Sequence, residues 1–388
     1  MKRPEDICSE IKKEIFKDYI PMSPEIVQTS SFYYPTYDDF IKVADDEKNH
    51  YVYTRGNNPT TEILEKKLAQ LECGEKCKVF SSGMGGISSV FFTLLSRGDH
   101  ILMINTVYGE AVSLVSYMEK FGITYDRIDV ETTQDIEWHI KENTKLIYFE
   151  SPSSQKFELL DLELISSIAK KKNIYTIIDG TWASPIFQKP LQHGIDLVIH
   201  SLSKYIGGHS DLVGGAVIGD NYLVDEIFEH GHQSLGATIS PFNSWLALRG
   251  LRTLPVRMKQ LDESVRIVID AIKDDERIAK IFHPYCGDTS QKDLSKQYLS
   301  GYGSLLAIDL ATQNFEKLLR FVNSLEVVSI GVSWGGFESL ALPAFKGNNS
   351  EKLAERGLSP SHIRLYIGLE HPESIINDIR QALDQAFE

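Results

Sequence analysis

Cysteine is scarce in this chain, with four among 388 residues: Cys8, Cys73, Cys77 and Cys286. That is too sparse for a disulfide framework and fits a reducing compartment. Three residues separate Cys73 from Cys77, but no second Cys or His pair stands nearby to complete a zinc site. Long apolar runs are also missing. The longest, Ile87 to Leu95, holds two serines and is too short to span a bilayer. The first residues, Met1-Lys2-Arg3-Pro4-Glu5-Asp6, mix both charges and do not read as a signal peptide. Positive charge is in deficit, with 40 Lys and Arg against 54 Asp and Glu, a net charge of -14. A phosphate backbone or an anionic membrane would repel such a surface, so neither nucleic acid nor membrane is an expected partner. A cytoplasmic location is expected.

The sequence does have enough apolar content, 42% with 24% charged, for a large soluble core. At about 150 residues per domain the length suggests two domains or three. No internal repeat or low-complexity tract interrupts it. The first fifty or so residues lack strong periodicity and carry Phe32-Tyr33-Tyr34 and Tyr37, an arm that must pack on the body or on a neighbouring subunit to be ordered. Regular structure is expected from Asn58, an N-cap, and Pro59, followed by Leu64, Leu68 and Leu71 at helical spacing. Short apolar runs then alternate with helical patterns: Lys78–Phe80, Ile101–Ile104, Leu146–Phe149, Tyr175–Ile178 and Leu197–Ile199. They do not alternate apolar with polar, so they read as strands covered on both faces in a parallel sheet. After Arg249-Gly250-Leu251-Arg252 a long helix is expected to about Ile281. Strand-like segments follow at Leu305–Ile308, Val327-Val328 and Ile363–Leu365, and an amphipathic helix closes the chain.

Ligands in open α/β sheets bind beyond the carboxyl ends of the strands. Asp179, Glu150 and the segment Ser201-Leu202-Ser203-Lys204 fall at such ends. Ser82-Gly83-Met84-Gly85-Gly86 opens a helix whose free N–H groups suit a phosphate, although it matches neither the dinucleotide fingerprint nor the P-loop. A lysine becomes nucleophilic only when neutral, which desolvation or a neighbouring cation can achieve. His230-Gly231-His232 and the Cys73/Cys77 pair offer too few ligands for a metal role and are expected in solvated loops. No metal is expected.

In this order, the motifs Tyr53-Thr54-Arg55-Gly56-Asn57-Asn58-Pro59-Thr60, Ser81-Ser82-Gly83-Met84, Val107-Tyr108-Gly109, Glu150-Ser151-Pro152, Asp179 to Pro185, the Lys204 segment, Arg249 to Leu254 and Arg364 to Glu370 resemble the pyridoxal-phosphate enzymes of cysteine and methionine metabolism. The resemblance runs from Tyr53 to the C-terminus. It implies fold type I of the PLP-dependent transferases (aspartate-aminotransferase-like), an α/β class. Its parts would be an arm (1–57) touching the neighbouring subunit, a large PLP-binding domain with a mostly parallel sheet (58–248) and a smaller α+β domain (249–388).

The same resemblance implies roles. Lys204 would carry pyridoxal 5'-phosphate and shuttle protons, Asp179 would pair with the pyridine nitrogen, and Tyr108 would stack on the ring. Gly83, Met84, Ser201 and Ser203 would hold the phosphate, joined by Tyr53 and Arg55 from the neighbouring subunit. Arg364 would clamp the substrate carboxylate and Ser333 would help position it. An obligate homo-oligomer, usually a tetramer of two dimers, follows. Gly180 departs from the family's usual Asn, and Ser203 stands where Thr is common.

The family holds β-lyases, γ-lyases and γ-synthases on one scaffold. Val332-Ser333-Trp334-Gly335-Gly336 resembles the form in bacterial cystathionine β-lyases, with Val332 where γ-lyases carry an acid. Ser154 and Glu110 point the same way, away from γ-type enzymes and methionine γ-lyases. Asn57-Asn58-Pro59-Thr60 is shared with the γ-enzymes. The expectation is β-elimination from cystathionine or related thioether amino acids, with γ-elimination or replacement as the alternative and a cofactor-free scaffold as the reading from another class.

Overall fold

A computed structural model describes residues 2–10, 21–129 and 133–388. Part of the expected arm, residues 11–20, lies outside the described residues. Two short helices, α1 (Pro4–Ser9) and α2 (Tyr37–Ile41), precede the point where regular structure was expected. Helix α3 (Pro59–Glu72) starts as its sequence dictates: Asn58 accepts from the Thr60 N–H at 3.0 Å, and Pro59 opens the helix. Such a cap stabilises by about 1 kcal/mol. Leu64, Leu68 and Leu71 are buried along one face. The helix ends at Cys73 in the left-handed region (φ 59°).

Seven strands follow: β1 (Lys76–Phe80), β2 (His100–Ile104), β3 (Thr124–Ile128), β4 (Thr144–Glu150), β5 (Tyr175–Asp179), β6 (Leu197–Ser201) and β7 (Gly215–Gly219). They form one sheet in the order β1-β7-β6-β5-β4-β2-β3. Strands β3, β2, β4, β5 and β6 pair in parallel; β7 runs antiparallel to both β6 and β1. The five runs read as two-sided strands are all in this sheet. The apolar residues of β2, β4, β5 and β6 are buried on both faces, as helix-covered parallel strands require. Helix α4 (Gly83–Leu94) leaves β1, and α5 (Gly109–Met118) follows β2.

A second sheet has five strands, β8 (Ile278–Phe282), β9 (Leu305–Leu310), β10 (Ser329–Ile330), β11 (Leu340–Pro343) and β12 (His362–Tyr366), in the order β10-β11-β12-β9-β8. Two expectations change here. The helix starting at Leu254 ends at Ile272, and Ile278–Phe282 pairs with β9 instead of continuing it. Val327-Val328 is not a strand: both N–H groups donate to the Asp378 carboxylate, at 2.9 and 2.8 Å, which takes the place of a ladder. The helix Pro372–Phe387 packs its Ile375, Ile379 and Leu383 into the second core. None of the described helices is long and apolar enough to cross a membrane.

Neither suspected metal pair lies in a solvated loop. Cys77 is buried inside β1, and His232 is buried in a helical segment between Phe80 and Phe228, because both elements turn those residues toward the core.

Candidate active site

Strands β4, β5 and β6 are parallel neighbours, so their last residues meet along one sheet edge. Asp179 closes β5, with Glu150 opposite it on β4. The Asp179 carboxylate accepts from the Thr181 N–H at 3.0 Å, and burial pushes its pKa up. Burial first, then the Asp179 charge, pushes Glu150 up to about 8. Glu150 also braces the site: it accepts from the Tyr108 N–H at 2.5 Å and from the Ser154 hydroxyl at 2.5 Å. Tyr108 precedes α5 with 48% of its surface exposed. Burial raises its pKa, and the charges of Glu110, Asp179 and Glu150 add to the shift, so its phenol stays protonated.

Lys204 stands three residues past the end of β6. Burial, then the Arg364 charge, lowers its amine from 10.5 to about 8, against an opposing pull from Asp179. The amine donates to Ser333 Oγ at 2.5 Å and lies 5.5 Å from the centre of the Trp334 ring. Ser333 belongs to the segment between β10 and β11, so the second sheet supplies this wall. Its backbone is in the left-handed region (φ 73°) and its carbonyl accepts from Arg364 Nη2 at 3.0 Å. Arg364 lies in β12, and burial lowers its pKa. Gly335 has φ 89°, and a Cβ there would meet the Lys204 backbone at 2.8 Å, so only glycine lets the two segments touch. Tyr366 fixes the next turn by donating to the Gly336 carbonyl at 2.8 Å.

On the other side, Ser82 caps α4 by accepting from the Gly85 N–H at 2.9 Å. The Gly83 and Met84 N–H groups, in the first turn, have no partner within the helix. Gly83 faces Ser201 so closely that a Cβ on it would lie 3.4 Å from Ser201 Cβ.

The structure therefore brings Lys204, Ser333 and Arg364 together, sets Asp179 on the neighbouring strand, and sets Gly83 against Ser201. Ser203 accepts from the Gly214 N–H at 3.2 Å, which ties its hydroxyl to its own loop. Tyr53 and Arg55 lie elsewhere: Arg55 donates to Gln233 at 2.9 Å and its guanidinium lies 5.4 Å from the centre of the Tyr53 ring. Among the described residues, no hydrogen bond joins either to Lys204 or Asp179. Glu150 was noted at its strand end but given no role, and Thr181 was missed as a site residue. The position of Glu150 at a strand end was the available signal; that of Thr181, whose hydroxyl accepts from the Ser201 N–H at 2.9 Å, has none in sequence. Gly180, the departure from Asn, lies against His200: a Cβ there would meet His200 Cε1 at 3.0 Å.

A desolvated amine, a buried carboxylate on the adjacent strand and the first turn of a helix suit the chemistry of an anionic carbonyl cofactor. The comparisons with known proteins agree. The family of Cys/Met metabolism PLP-dependent enzymes matches residues 10–384. An L-methionine γ-lyase from Fusobacterium nucleatum is 33% identical over 95% of this chain and 94% of its own. A cystathionine β-lyase from Lactococcus lactis is 35% identical over 87% of this chain and 90% of its own. A solved structure from Campylobacter jejuni, assigned as a putative O-acetylhomoserine (thiol)-lyase, aligns with TM-score 0.90 at 28% identity over 99% of this chain and 100% of its own. It carries N'-pyridoxyl-lysine-5'-monophosphate. The chain belongs to the Cys/Met metabolism family of PLP-dependent enzymes. Its cofactor is pyridoxal phosphate, and the family's carbon–sulfur lyases and synthases set the range of its chemistry.

Proposed function

We propose that this enzyme is a carbon–sulfur lyase that acts on cystathionine or a related thioether amino acid by β-elimination, releasing pyruvate, ammonia and a thiol. The observation that carries the reading is the wall formed by Val332-Ser333-Trp334. Ser333 touches both Lys204 and Arg364, while Val332 beside it is apolar and 76% exposed. That wall has no acidic side chain at the position where a γ-lyase would read a distal ammonium.

Lys204 would hold the cofactor, with Asp179 at the pyridine nitrogen, Tyr108 against the ring, and Gly83, Met84, Ser201 and Ser203 at the phosphate. Pyridoxal phosphate supplies an electron sink for the charge left when the substrate loses its α-proton. Arg364 binds the substrate carboxylate through its planar fork. Once the substrate amine has displaced it from the cofactor, Lys204 Nζ would take the α-proton, its burial favouring the neutral amine. Ser333 orients both groups. Tyr53 and Arg55, which among the described residues make no hydrogen bond to their own Lys204, would complete the phosphate site of a neighbouring subunit, so the working unit would be at least a dimer, with a tetramer of two dimers as the family's usual form.

Product analysis by mass spectrometry after incubation with L-cystathionine tests this. Pyruvate with homocysteine supports β-elimination. 2-Oxobutyrate with cysteine overturns it and places the enzyme with the γ-lyases. The similarity to a methionine γ-lyase makes that second outcome a real competitor.

A further inference from the structure

Lys78 is a buried lysine of the large sheet that the chemistry above leaves unused. It sits in the middle of β1, with its side chain 7% exposed. Its ammonium lies 3.1 Å from Glu65 Oε1 on α3 and donates to the Gly56 carbonyl at 2.8 Å. The Phe228 ring centre lies 4.9 Å away on a third side. Glu65 is itself buried, and its Oε1 also accepts from the Val79 N–H at 3.2 Å.

A buried ion pair adds little stability over apolar residues of the same volume. Its distinctive contact is therefore the one that leaves its own layer, the bond to Gly56. Gly56 belongs to a tight turn in which the Gly56 and Asn57 N–H groups both donate to the Tyr53 carbonyl, at 2.9 and 3.2 Å. Tyr53 and Arg55 project from this turn. Arg55 is held by the half-buried Gln233 amide, with Glu47 behind it at 2.6 Å, and by the Tyr53 ring. Thr54 ties the first half of the turn, its hydroxyl donating to the Thr29 carbonyl and accepting from the Asn58 amide, and Lys78 is the buried side chain that reaches Gly56 itself. It lies two residues before the end of β1, the strand that leads into the Gly83 turn.

We propose that Lys78 is a positioning residue: its ammonium, held by Glu65, fixes the Gly56 carbonyl and so sets how Tyr53 and Arg55 are presented to the neighbouring subunit's cofactor phosphate. The inference rests on the reading of Arg55 given above. Its consequence is directional, because the Lys78 of one subunit governs cofactor retention in the other.

Two mixed dimers of the full chain, isolated with two affinity tags, test it. The first pairs a Lys78→Met subunit with a Lys204→Ala subunit. The second pairs wild type with a subunit carrying both Lys78→Met and Lys204→Ala. Both hold the same substitutions and one Lys204, so any cost to folding is common to both. The readout is the pyridoxal phosphate concentration that half-saturates borohydride-fixable cofactor. In the first dimer the surviving site is served by a subunit with Lys78 intact, and wild-type retention is expected. In the second it is served by the subunit carrying Lys78→Met, and a half-saturating concentration about tenfold higher is expected, the effect of a lost charged hydrogen bond. Equal retention in the two dimers overturns the inference. Arg55→Ala in the same two placements separates the causes. If its placement matters and that of Lys78→Met does not, only the role of Lys78 fails. If neither matters, the reading of Arg55 fails and takes this inference with it.

Discussion

Lys78 and Lys204 are both drawn into the large domain, and their surroundings differ in one respect that decides what each can do. Lys78 has a carboxylate at 3.1 Å and a carbonyl at 2.8 Å. Lys204 has a neutral hydroxyl at 2.5 Å, an indole ring and a neighbouring guanidinium, with Asp179 acting only through space. A paired, fully desolvated ammonium is a tether. An ammonium that is desolvated but lacks a contacting anion loses its proton easily and becomes a base or nucleophile. The fold makes the difference by placement: Lys78 is in a strand's centre, facing a helix, whereas Lys204 follows a strand's carboxyl end, where the second sheet brings Ser333 and Arg364 to meet it.

Substitution at Lys204 should have the greatest consequence. Lys204→Ala should lower turnover by about a thousandfold or more, measured as pyruvate release, since proton transfer and cofactor attachment are lost together. Lys78→Met should act on stability, besides its effect on the neighbouring subunit's cofactor retention. It strands Glu65 as an unpaired buried carboxylate, at a cost of about 3–5 kcal/mol in urea unfolding, and adding Glu65→Gln should recover most of it. Arg364→Lys should raise KM about 10- to 100-fold with a smaller change in kcat, because an ammonium cannot make the planar two-bond grip on a carboxylate.

Lys204 also leaves a signature in the pH dependence of stability. Lys204 in the folded apoprotein titrates at about 8, below its ordinary 10.5. The unfolded chain therefore binds more protons between those values, and apoprotein stability should rise with pH across that window. Below about 8 the cost of the buried charge is fully present, so Lys204→Met should stabilise the apoprotein at pH 7, by about 1–2 kcal/mol after screening. The pH dependence over that window should flatten in the variant. A milder change is expected at the rim. Val332→Glu should raise the preference for cystathionine over S-methylcysteine about two- to fivefold in kcat/KM, by attracting the distal ammonium.

Much of the site was legible because strand ends and glycine turns are local features. The runs Leu146–Phe149, Tyr175–Ile178 and Leu197–Ile199 announced buried parallel strands, and Asp179 and Lys204 follow from where those strands stop. Other elements were hidden for physical reasons. Gly215-Ala216-Val217-Ile218-Gly219 has only three apolar residues between glycines and was not among the runs read as strands, yet β1 and β6 pair with it from both sides. Thr124–Ile128 is an edge strand with polar Asp126 and Arg127, so no apolar run marks it. The helix after Leu254 runs out in Lys273-Asp274-Asp275-Glu276 without glycine or proline, and the apolar spacing resumes at Ile278 as though the helix continued. The contact of Ser333 with Lys204 spans 129 residues, and the anchoring of Gly56 by Lys78 joins a loop to a strand. Local pattern carries neither; the resemblance set Ser333 beside Arg364 but not beside Lys204, and only the assembled fold shows the two contacts.

Borohydride reduction of the holoenzyme, followed by digestion and mass spectrometry, tests directly which lysine does the chemistry. The pyridoxyl phosphate mass is expected on the peptide containing Lys204, with the peptide containing Lys78 unmodified. Label on Lys78, or on any lysine other than Lys204, would contradict the division of roles between them.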